Sequence, residues 1–448
     1  MNRRGLLLAA AALVLAGTPA RAQQRDGRCL LQVLNVDHQG VGQQPSPGTQ
    51  NWFGGGNVRI RCVGQEVRMW SDSVASYQGE VVQFIGSVRY RDSTIEMTAD
   101  FGTYFRTGDR WEARGNVVLT NRQNGSVLRG PMLDYLRAAP GVRDTSELWA
   151  DLRPVITVPA RDSLNRPEDP YLIVGDRVRI RGNDRIYAGG RVTIDRFDLA
   201  ARGDSLRLDT GAGSDGTLMG AASVRRVAAD SFRLTGRRID LALERRALRA
   251  VLARDEGHLT SAELDLVADR IGIAIADRKV ERVTAWGDSL RPVARSVDGY
   301  EIRGDSLAFD TPEQRLREAR TYGEGWVGAA PDSVTGERDW VAGDSVTVSF
   351  LPGEDSTGAP RSTLERLDAR GAARAFYRLP ASPQVGGGPS ISYTRADRIE
   401  ITMKQADGTA TVDRVTSTGN VDGIHLQPAV VARDTTRAAP RPPGVPPR

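Results

Sequence analysis

The sequence predicts an all-β protein made of antiparallel strands that repeat along the chain. Apolar and polar residues alternate with a period of two in most segments, as at Ile399, Ile401 and Met403. Turn signals such as Asp407-Gly408 separate these segments and are typical of β-hairpins. The 48 glycines and 6% aromatic residues suit many short strands better than a helical bundle. We therefore expect less than about a tenth of the residues in helices.

A unit represented by residues 396–421 recurs along the chain. It opens with an aspartate and an alternating strand, and it closes with glycine, one further residue and valine or a similar residue. The aspartates are Asp176, Asp204, Asp230, Asp269, Asp305, Asp344 and Asp397. The glycines are Gly86, Gly115, Gly190, Gly325 and Gly419. We expect the aspartates to cap turns at strand starts, and the glycines to form corners where a strand passes between sheets, which gives a rolled sheet.

The first 22 residues have the features of a secretory signal peptide. A basic start at 2–4 precedes an apolar run at 5–17 and a small-x-small site at 20–22. The run is shorter than the ~20 residues of a membrane-spanning helix, which favours cleavage after Ala22 over a retained anchor. The sequence therefore predicts export to the periplasm, where the protein could associate with the inner or the outer membrane.

Export to an oxidising compartment bears on the two cysteines. Cys29 and Cys62 are an even pair, and we expect them to form one disulfide; two free thiols are the alternative. The histidines, His38, His258 and His425, are scattered without other ligands at metal-binding spacing. The sequence thus predicts neither a metal site nor a cofactor.

The charge pattern argues against a nucleic-acid partner. Removal of Arg3, Arg4 and Arg21 with the signal peptide lowers the formal net charge from +5 to +2. Acidic residues alternate with arginines along the strands, and no basic block with interleaved aromatic residues is present. Scattered arginines remain able to contact an anionic lipid head group.

The chain divides into blocks by composition. Four strands in the first block are predicted at 81–92, 93–105, 110–121 and 126–136. The predicted divisions are a signal peptide at 1–22, an irregular leader at 23–64 with both cysteines, a first β block at 65–137, a proline-rich loop or linker at 138–170, a second block at 171–290, a third block at 291–427, and a disordered tail at 428–448.

The alternation also predicts which side chains face the interior of the rolled sheet. The candidates for lipid contact on this apolar inner face are Phe84, Val88, Tyr90, Ile95, Met97, Trp111, Val117, Leu119, Ile180, Val192, Ile194, Leu206 and Leu208. For any one of them, an ordinary role in a closed protein core is the competing interpretation.

The strand, turn and glycine return at 100–117, 176–192 and 397–421 resemble the LptA/OstA (organic solvent tolerance-like) repeat of lipopolysaccharide-transport proteins. The resemblance covers about residues 65–427. It implies an exported protein with an extended open β-jellyroll of two facing antiparallel sheets, which stacks edge to edge into a bridge across the periplasm. This chain departs from the family in its greater length, which implies two or three jellyroll blocks. It also has no C-terminal barrel after residue 427.

The function implied is a lipid-transport bridge that shields acyl chains in an apolar groove. Its cargo would be lipopolysaccharide or a related acyl lipid. Its partners would be an inner-membrane ABC transporter complex and an outer-membrane barrel assembly protein, joined by edge-strand pairing. If about 30 strands formed two sheets of fifteen layers, the groove would be on the order of 70 Å long. The alternatives are a non-catalytic scaffold that binds envelope proteins by sheet-edge pairing and, less favoured, a β-helix polysaccharide-processing enzyme.

Overall fold

The computed structural model describes most of the chain. The described residues are 29–42, 50–139, 141–161, 164, 166–211, 215–226, 231–244, 247–312, 315–332, 336–354, 360–379, 389–406 and 409–427. The predicted signal peptide, Asp230, the Asp407-Gly408 turn and the predicted tail lie outside these residues.

The described residues contain no α-helix, and every pairing between strands is antiparallel, which confirms the all-β prediction. The strands are β1 (Leu31–Asn35), β2 (His38–Val41), β3 (Trp52–Cys62), β4 (Arg68–Tyr77), β5 (Val81–Arg91), β6 (Ile95–Phe105), β7 (Arg110–Asn121), β8 (Val127–Leu136), β9 (Glu147–Asp151), β10 (Val155–Arg161), β11 (Pro167–Val174), β12 (Arg177–Arg181), β13 (Arg185–Arg196), β14 (Leu199–Asp209), β15 (Asp215–Arg226), β16 (Phe232–Glu244), β17 (Ala247–Ser261), β18 (Leu264–Ala276), β19 (Lys279–Trp286), β20 (Val293–Ser296), β21 (Glu301–Arg303), β22 (Ser306–Asp310), β23 (Glu318–Gly328), β24 (Trp340–Glu354), β25 (Pro360–Leu379), β26 (Ser390–Ala406), β27 (Thr409–Thr418) and β28 (Asp422–Leu426).

Strands bend near their middle, so that one strand contributes to two facing half-sheets. β13 is an example, because its residues 185–189 pair with β12 whereas its residues 193–195 pair with β11. We name the half beside turns 92–94 and 122–126 half-sheet I, and the half beside turns 106–109 and 182–184 half-sheet II. The two rows of turns are rim I and rim II, and the gap between the rims is the mouth.

The bent strands stack into layers. In six places two consecutive strands pair with the two halves of one neighbouring strand and so act as a single bent strand: β1 with β2, β9 with β10, β11 with β12, β19 with β20, β21 with β22, and β27 with β28. The 28 strands therefore form 22 layers. At about 4.8 Å per layer the stack is on the order of 100 Å long. The expected fifteen layers were too few because one strand serves both half-sheets.

The bends explain why the two sequence half-motifs recur together. At each of nine bends the aspartate of one strand lies against a glycine of the next strand, at the line of corners where half-sheets I and II meet. The pairs are Asp37–Gly56, Asp72–Gly86, Asp100–Gly115, Asp176–Gly190, Asp204–Gly220, Asp269–Gly287, Asp305–Gly323, Asp344–Gly371 and Asp397–Gly419. Eight of these glycines, and the residue after each of the eight, have positive φ. The predicted glycine corners are therefore present at Gly86, Gly115, Gly190 and Gly419.

Two details of the predicted repeat are wrong. Of the described aspartates, Asp176 and Asp305 directly precede β12 and β22 as predicted, but the others do not stand at strand starts. Asp204, Asp269, Asp344 and Asp397 lie inside β14, β18, β24 and β26, because the polar residue marks the bend rather than the turn. The unit 396–421 consequently begins in the middle of a strand. The corner glycine of the fourth predicted return is Gly323, with φ +70°, and not Gly325, which has no positive φ.

Two predicted divisions of the chain are also wrong. The loop or linker at 138–170 contains β9, β10 and the start of β11, which pair with β8 and with one another. The irregular leader at 23–64 contains β1, β2 and β3, which form the first two layers of the sheet. These strands were missed because they contain or adjoin prolines and glycines, which argue against a strand. In the layered sheet these residues lie at turns, bends and strand ends, where they are tolerated. In contrast, the four strands predicted in the first block coincide with β5 to β8.

The structure joins Cys29 and Cys62 by a disulfide, with their Cα atoms 5.1 Å apart. Both side chains are buried, and Cys29 precedes β1 while Cys62 ends β3. The bond therefore ties the first layer to the second.

We expect the protein, produced in an oxidising compartment and unfolded without reductant, to show no free thiol in a thiol assay. Replacing both Cys29 and Cys62 by serine should lower stability by roughly 3–4 kcal/mol, because the covalent loop no longer restricts the unfolded chain. Two reactive thiols in the unreduced protein would contradict this prediction.

Candidate functional site

The space between half-sheets I and II is filled by one continuous cluster of apolar side chains. It extends from Val58 in β3 to Ile401 in β26 and includes residues of nearly every layer between them. The bent strands present alternate residues to this space, so the period of two in the sequence becomes a single apolar interior. This interior is the candidate site for an acyl chain.

The predicted inner-face residues all belong to this interior. Twelve are buried: Phe84, Val88, Tyr90, Ile95, Met97, Trp111, Val117, Leu119, Val192, Ile194, Leu206 and Leu208. Ile180 is half-buried and packs against the others. The twelve buried residues are at most 7% exposed, so in this conformation their side chains fill the space between the half-sheets. Their contact with lipid stays a prediction.

An aromatic cluster fills the interior between β5 and β8. The ring of Trp111 lies 5.0 Å from Phe84, 5.1 Å from Tyr90 and 6.2 Å from Tyr104, measured between centroids. Tyr90 is in turn 6.0 Å from Tyr135. Tyr90 belongs to half-sheet I and Trp111 to half-sheet II, so the cluster is a direct contact between the two facing halves.

A buried carboxylate closes the mouth beside this cluster. Asp92, 4% exposed on rim I, accepts hydrogen bonds from the hydroxyls of Tyr90 and Tyr135, each 3.0 Å long. Its other oxygen accepts from the backbone N–H of Thr94 and Ile95 at 2.7 Å. Burial raises the pKa of both tyrosines well above the ordinary value, and the nearby charge of Asp92 raises it further. Because Tyr135 lies in half-sheet II, this network holds the two halves together.

Side-chain amides bridge the mouth at a second point. Asn183 on rim II donates to Gln123 Oε1 at 2.6 Å, and its backbone carbonyl accepts from Asn124 Nδ2 at 2.6 Å. Further along the stack, ion pairs join Glu168 to Arg278 and Asp298 to Arg361, again across the mouth. Polar contacts of the described residues therefore span the mouth at these points, whereas the corners join the half-sheets through the backbone.

Between the amide bridge and the Asp298–Arg361 pair, the mouth contains a cleft of about 260 Å³. Its floor is apolar and is formed by Leu199 and Phe232 from half-sheet I and by Leu248 and Ile275 from half-sheet II. These four side chains pack against or belong to the continuous core. The cleft is thus a place where the apolar interior approaches solvent. A cavity of about 30 Å³ lines the mouth near Tyr135.

The rim of the cleft is rich in arginine. Arg196, whose side chain is only 5% exposed, pairs with Glu168 at 2.6 Å and donates to the hydroxyl of Tyr171 at 3.0 Å. Its guanidinium lies over the rings of Tyr171 and Phe197, 5.1 and 5.4 Å from their centroids. Phe197 itself is 60% exposed beside the cleft. The other charged lining residues are Arg166, Arg226, Arg249, Arg278, Asp198, Glu244 and Asp277.

The two ends of the stack present unpaired strand edges within the described residues. β1 and β2 pair only with β3, and β27 and β28 pair only with β26. Apolar side chains are exposed on these end strands, including Leu34 (51%), Val41 (60%) and Ile424 (63%). Such edges can accept a further antiparallel strand.

The histidines lie far apart along the stack. His38 is on β2, while His258 contacts Asp265 at 3.0 Å and His425 contacts Ser392 at 2.7 Å. Across the part of the chain that the structure covers, no group of three or more His, Cys, Asp or Glu side chains is placed to hold a metal ion. Within the same residues, no helix has the length and apolar character to cross a bilayer.

Sequence reasoning missed the polar groups of the mouth. In the sequence, Asp92 was only the last residue of the predicted strand 81–92, and Arg196 and Arg278 were unnamed among the scattered arginines. These groups come into contact because layers of half-sheet I lie opposite other layers of half-sheet II. The alternation of residues along one strand does not predict which layers face each other. The role of Asp92 could have been predicted from Tyr90. The tyrosine is two residues before the aspartate at the end of the strand and faces the interior, so its hydroxyl needs a nearby acceptor.

Comparison with known proteins adds no identification: no protein-family model matches the chain, and no curated protein matches it significantly.

Proposed function

We propose that this protein is a periplasmic carrier for acyl lipid, in which the two half-sheets shield the acyl chains between them. The observation that carries the proposal is the apolar interior, which is continuous through the stack and bounded by backbone only along the corners. An acyl chain gains about 0.8 kcal/mol for each CH₂ removed from water, so a long apolar interior is a favourable path. Lipopolysaccharide or a related acyl lipid is the proposed cargo.

The way in which lipid enters follows from the architecture. In the closed conformation the interior is occupied by side chains. The half-sheets are hinged along the corners, and in the described part of the chain each polar contact across the mouth involves at least one side chain, so opening the mouth there breaks no strand pairing. We propose that lipid occupies the interior when the half-sheets separate at the mouth.

Edge strands supply the proposed connections to other envelope components. At about 4.8 Å per added strand, pairing at β1–β2 or β27–β28 would extend the same interior into a neighbouring jellyroll. The proposed neighbours are an inner-membrane ABC transporter complex and an outer-membrane barrel assembly protein. The exposed apolar residues of the end strands support pairing, because they would be covered by a neighbour.

The dense packing of the interior favours a second candidate function. Side chains such as Trp111 and Phe84 fill the space between the half-sheets around them in the closed conformation, as in an ordinary protein core. A chain of this kind could be a scaffold that binds envelope proteins through its edges without carrying lipid. The two functions differ in whether the interior ever contacts an acyl chain.

A photo-crosslinking experiment separates the two functions. A photoreactive amino acid in place of Phe84, Ile95 or Val117 should capture lipid in cells, because these positions face the interior. The matched control is Arg89, an exposed neighbour on β5, which should capture none. Capture is read by mass spectrometry of the purified adduct.

Each outcome has one interpretation once circular dichroism shows that the variants retain their β structure. Capture at the interior positions alone supports the carrier. Equal labelling at Arg89 and at the interior positions, or none at either, contradicts it and leaves the scaffold.

A further inference from the structure

The cleft at the mouth has features that neither a closed core nor a pure structural bridge requires. Its floor opens onto the core through Leu199, Leu248 and Ile275, which remain partly exposed. An apolar surface at solvent is a cost unless something covers it. At about 260 Å³ the cleft is slightly smaller than ordinary small-molecule sites. It fits a segment of a single chain better than a whole lipid.

The charged rim has one more positive than negative side chain among the described residues. Five arginines line the cleft against four carboxylates: Arg166, Arg196, Arg226, Arg249 and Arg278 against Glu168, Asp198, Glu244 and Asp277. Glu168 is shared by Arg196 and Arg278, and Glu244 pairs with Arg249. The surplus of positive charge suits a ligand whose head group carries oxygen acceptors and negative charge.

One buried arginine is held in a fixed position at this rim. Arg196 is stacked between Tyr171 and Phe197 and is anchored by Glu168. Its Nε atom and the Oδ1 atom of Asp198 are buried without a hydrogen bond of good geometry and lie 3.4 Å apart. Arg196 is therefore already paired and fixes the wall of the cleft, while Arg249 and Arg278, whose side chains are 37% and 59% exposed, can reach a ligand.

We propose that this cleft binds an acyl amphiphile with an anionic head group, with the chain on the apolar floor and the head group at the arginines. This inference rests on the proposed function, because the cleft would be the point where the carried lipid enters. It adds that the head group of that lipid is negatively charged. The exposed ring of Phe197 would contact the chain where it leaves the cleft.

The test measures binding of dodecyl phosphate, below its micelle concentration, to the full exported chain by isothermal titration calorimetry. Dodecyl phosphate should bind at least 10-fold more tightly than dodecyl maltoside, which has the same chain and a neutral head. It should bind at least 100-fold more tightly than inorganic phosphate, which lacks the chain. Equal affinity for either comparator, or no binding of dodecyl phosphate, would overturn the proposal.

Variants locate the binding. The double variant Arg226→Gln/Arg249→Gln should weaken dodecyl phosphate binding at least 10-fold. Arg225→Gln is the matched control: Arg225 lies next to Arg226 on β15 but is exposed and does not line the cleft. It should bind as the unmodified protein does. Unchanged binding by the double variant would overturn the proposed location, and circular dichroism checks that the variants fold.

The result is distinguishable from a failure of the proposed function. If dodecyl phosphate did not bind at the cleft but lipid were still captured at position 84, the protein would be a carrier without this entry site. Binding of dodecyl phosphate at the cleft with no capture at Phe84 would leave a surface site on a scaffold.

Discussion

Replacing Gly190 by alanine should destabilise the layers around it by about 2–4 kcal/mol. Gly190 has φ +77°, a conformation that costs an L-residue about 1–2 kcal/mol. A Cβ there would also lie 2.5 Å from Oδ2 of Asp176, so the carboxylate must move. Asp176 accepts a hydrogen bond from Arg191 at 2.8 Å, which lowers the pKa of its carboxyl, and this contact would be disturbed.

The measurement is native-state hydrogen exchange of the amides in β12 and β13, since stability in a stacked protein is a local quantity. A loss of 2–4 kcal/mol corresponds to exchange that is about 30- to 900-fold faster. Gly189→Ala is the matched control, because Gly189 is extended and the nearest atom to its Cβ would be Arg177 Cγ at 3.8 Å. Equal effects of the two substitutions would show that the corner does not require glycine.

Replacing Asp92 by alanine should lower stability by about 3–5 kcal/mol, the other large effect we expect. The substitution leaves the hydroxyls of Tyr90 and Tyr135 and the N–H groups of Thr94 and Ile95 without their acceptor inside the protein. Each buried polar group left unsatisfied costs about 1–3 kcal/mol, partly recovered by relaxation. Local hydrogen exchange in β5, β6 and β8 measures the loss.

Asp92→Asn tests the same network with nearly the same shape. Its single amide oxygen can still accept from the N–H groups of Thr94 and Ile95, whereas its NH₂ group cannot accept from the hydroxyls of Tyr90 and Tyr135, which must turn to accept from it instead. We therefore expect a smaller effect than that of alanine. If the alanine variant were as stable as the unmodified protein, Asp92 would not hold the mouth closed. If asparagine were as harmful as alanine, the network would require the carboxylate itself, with two accepting oxygens and a negative charge.

The sequence predicted the class of the fold and the inward side of many strands because both depend on local alternation. Phe84, Val88 and Tyr90 occupy every second position around a bend, and the structure buries all three. Gly86 and Gly115 were predicted as corners because a glycine before a strand continuation is a local signal for positive φ. All of these inferences depend on neighbours within a few residues.

The rest depends on relations between distant residues. The partner of each corner glycine is an aspartate on the preceding strand, as Asp176 is for Gly190, and the sequence alone showed these as separate motifs. The two strand halves around Pro154 in β9 and β10 were hidden because proline within an alternating segment argues against a strand. The mouth was hidden because contacts such as Tyr135 with Asp92 depend on how far facing layers are offset.

The pairing of one aspartate strand with one glycine strand has a consequence for how the stack can grow. In each of the nine pairs the aspartate lies in an odd-numbered layer and the glycine in the next, even-numbered layer, and the described stack has an even number of layers, 22. In an antiparallel stack with an even count, the first and last strands run in opposite directions. A second molecule placed in the same orientation at β27–β28 would therefore meet that strand with an antiparallel one. With an even number of layers, identical molecules in the same orientation can therefore line up end to end, and every strand still pairs with an antiparallel neighbour.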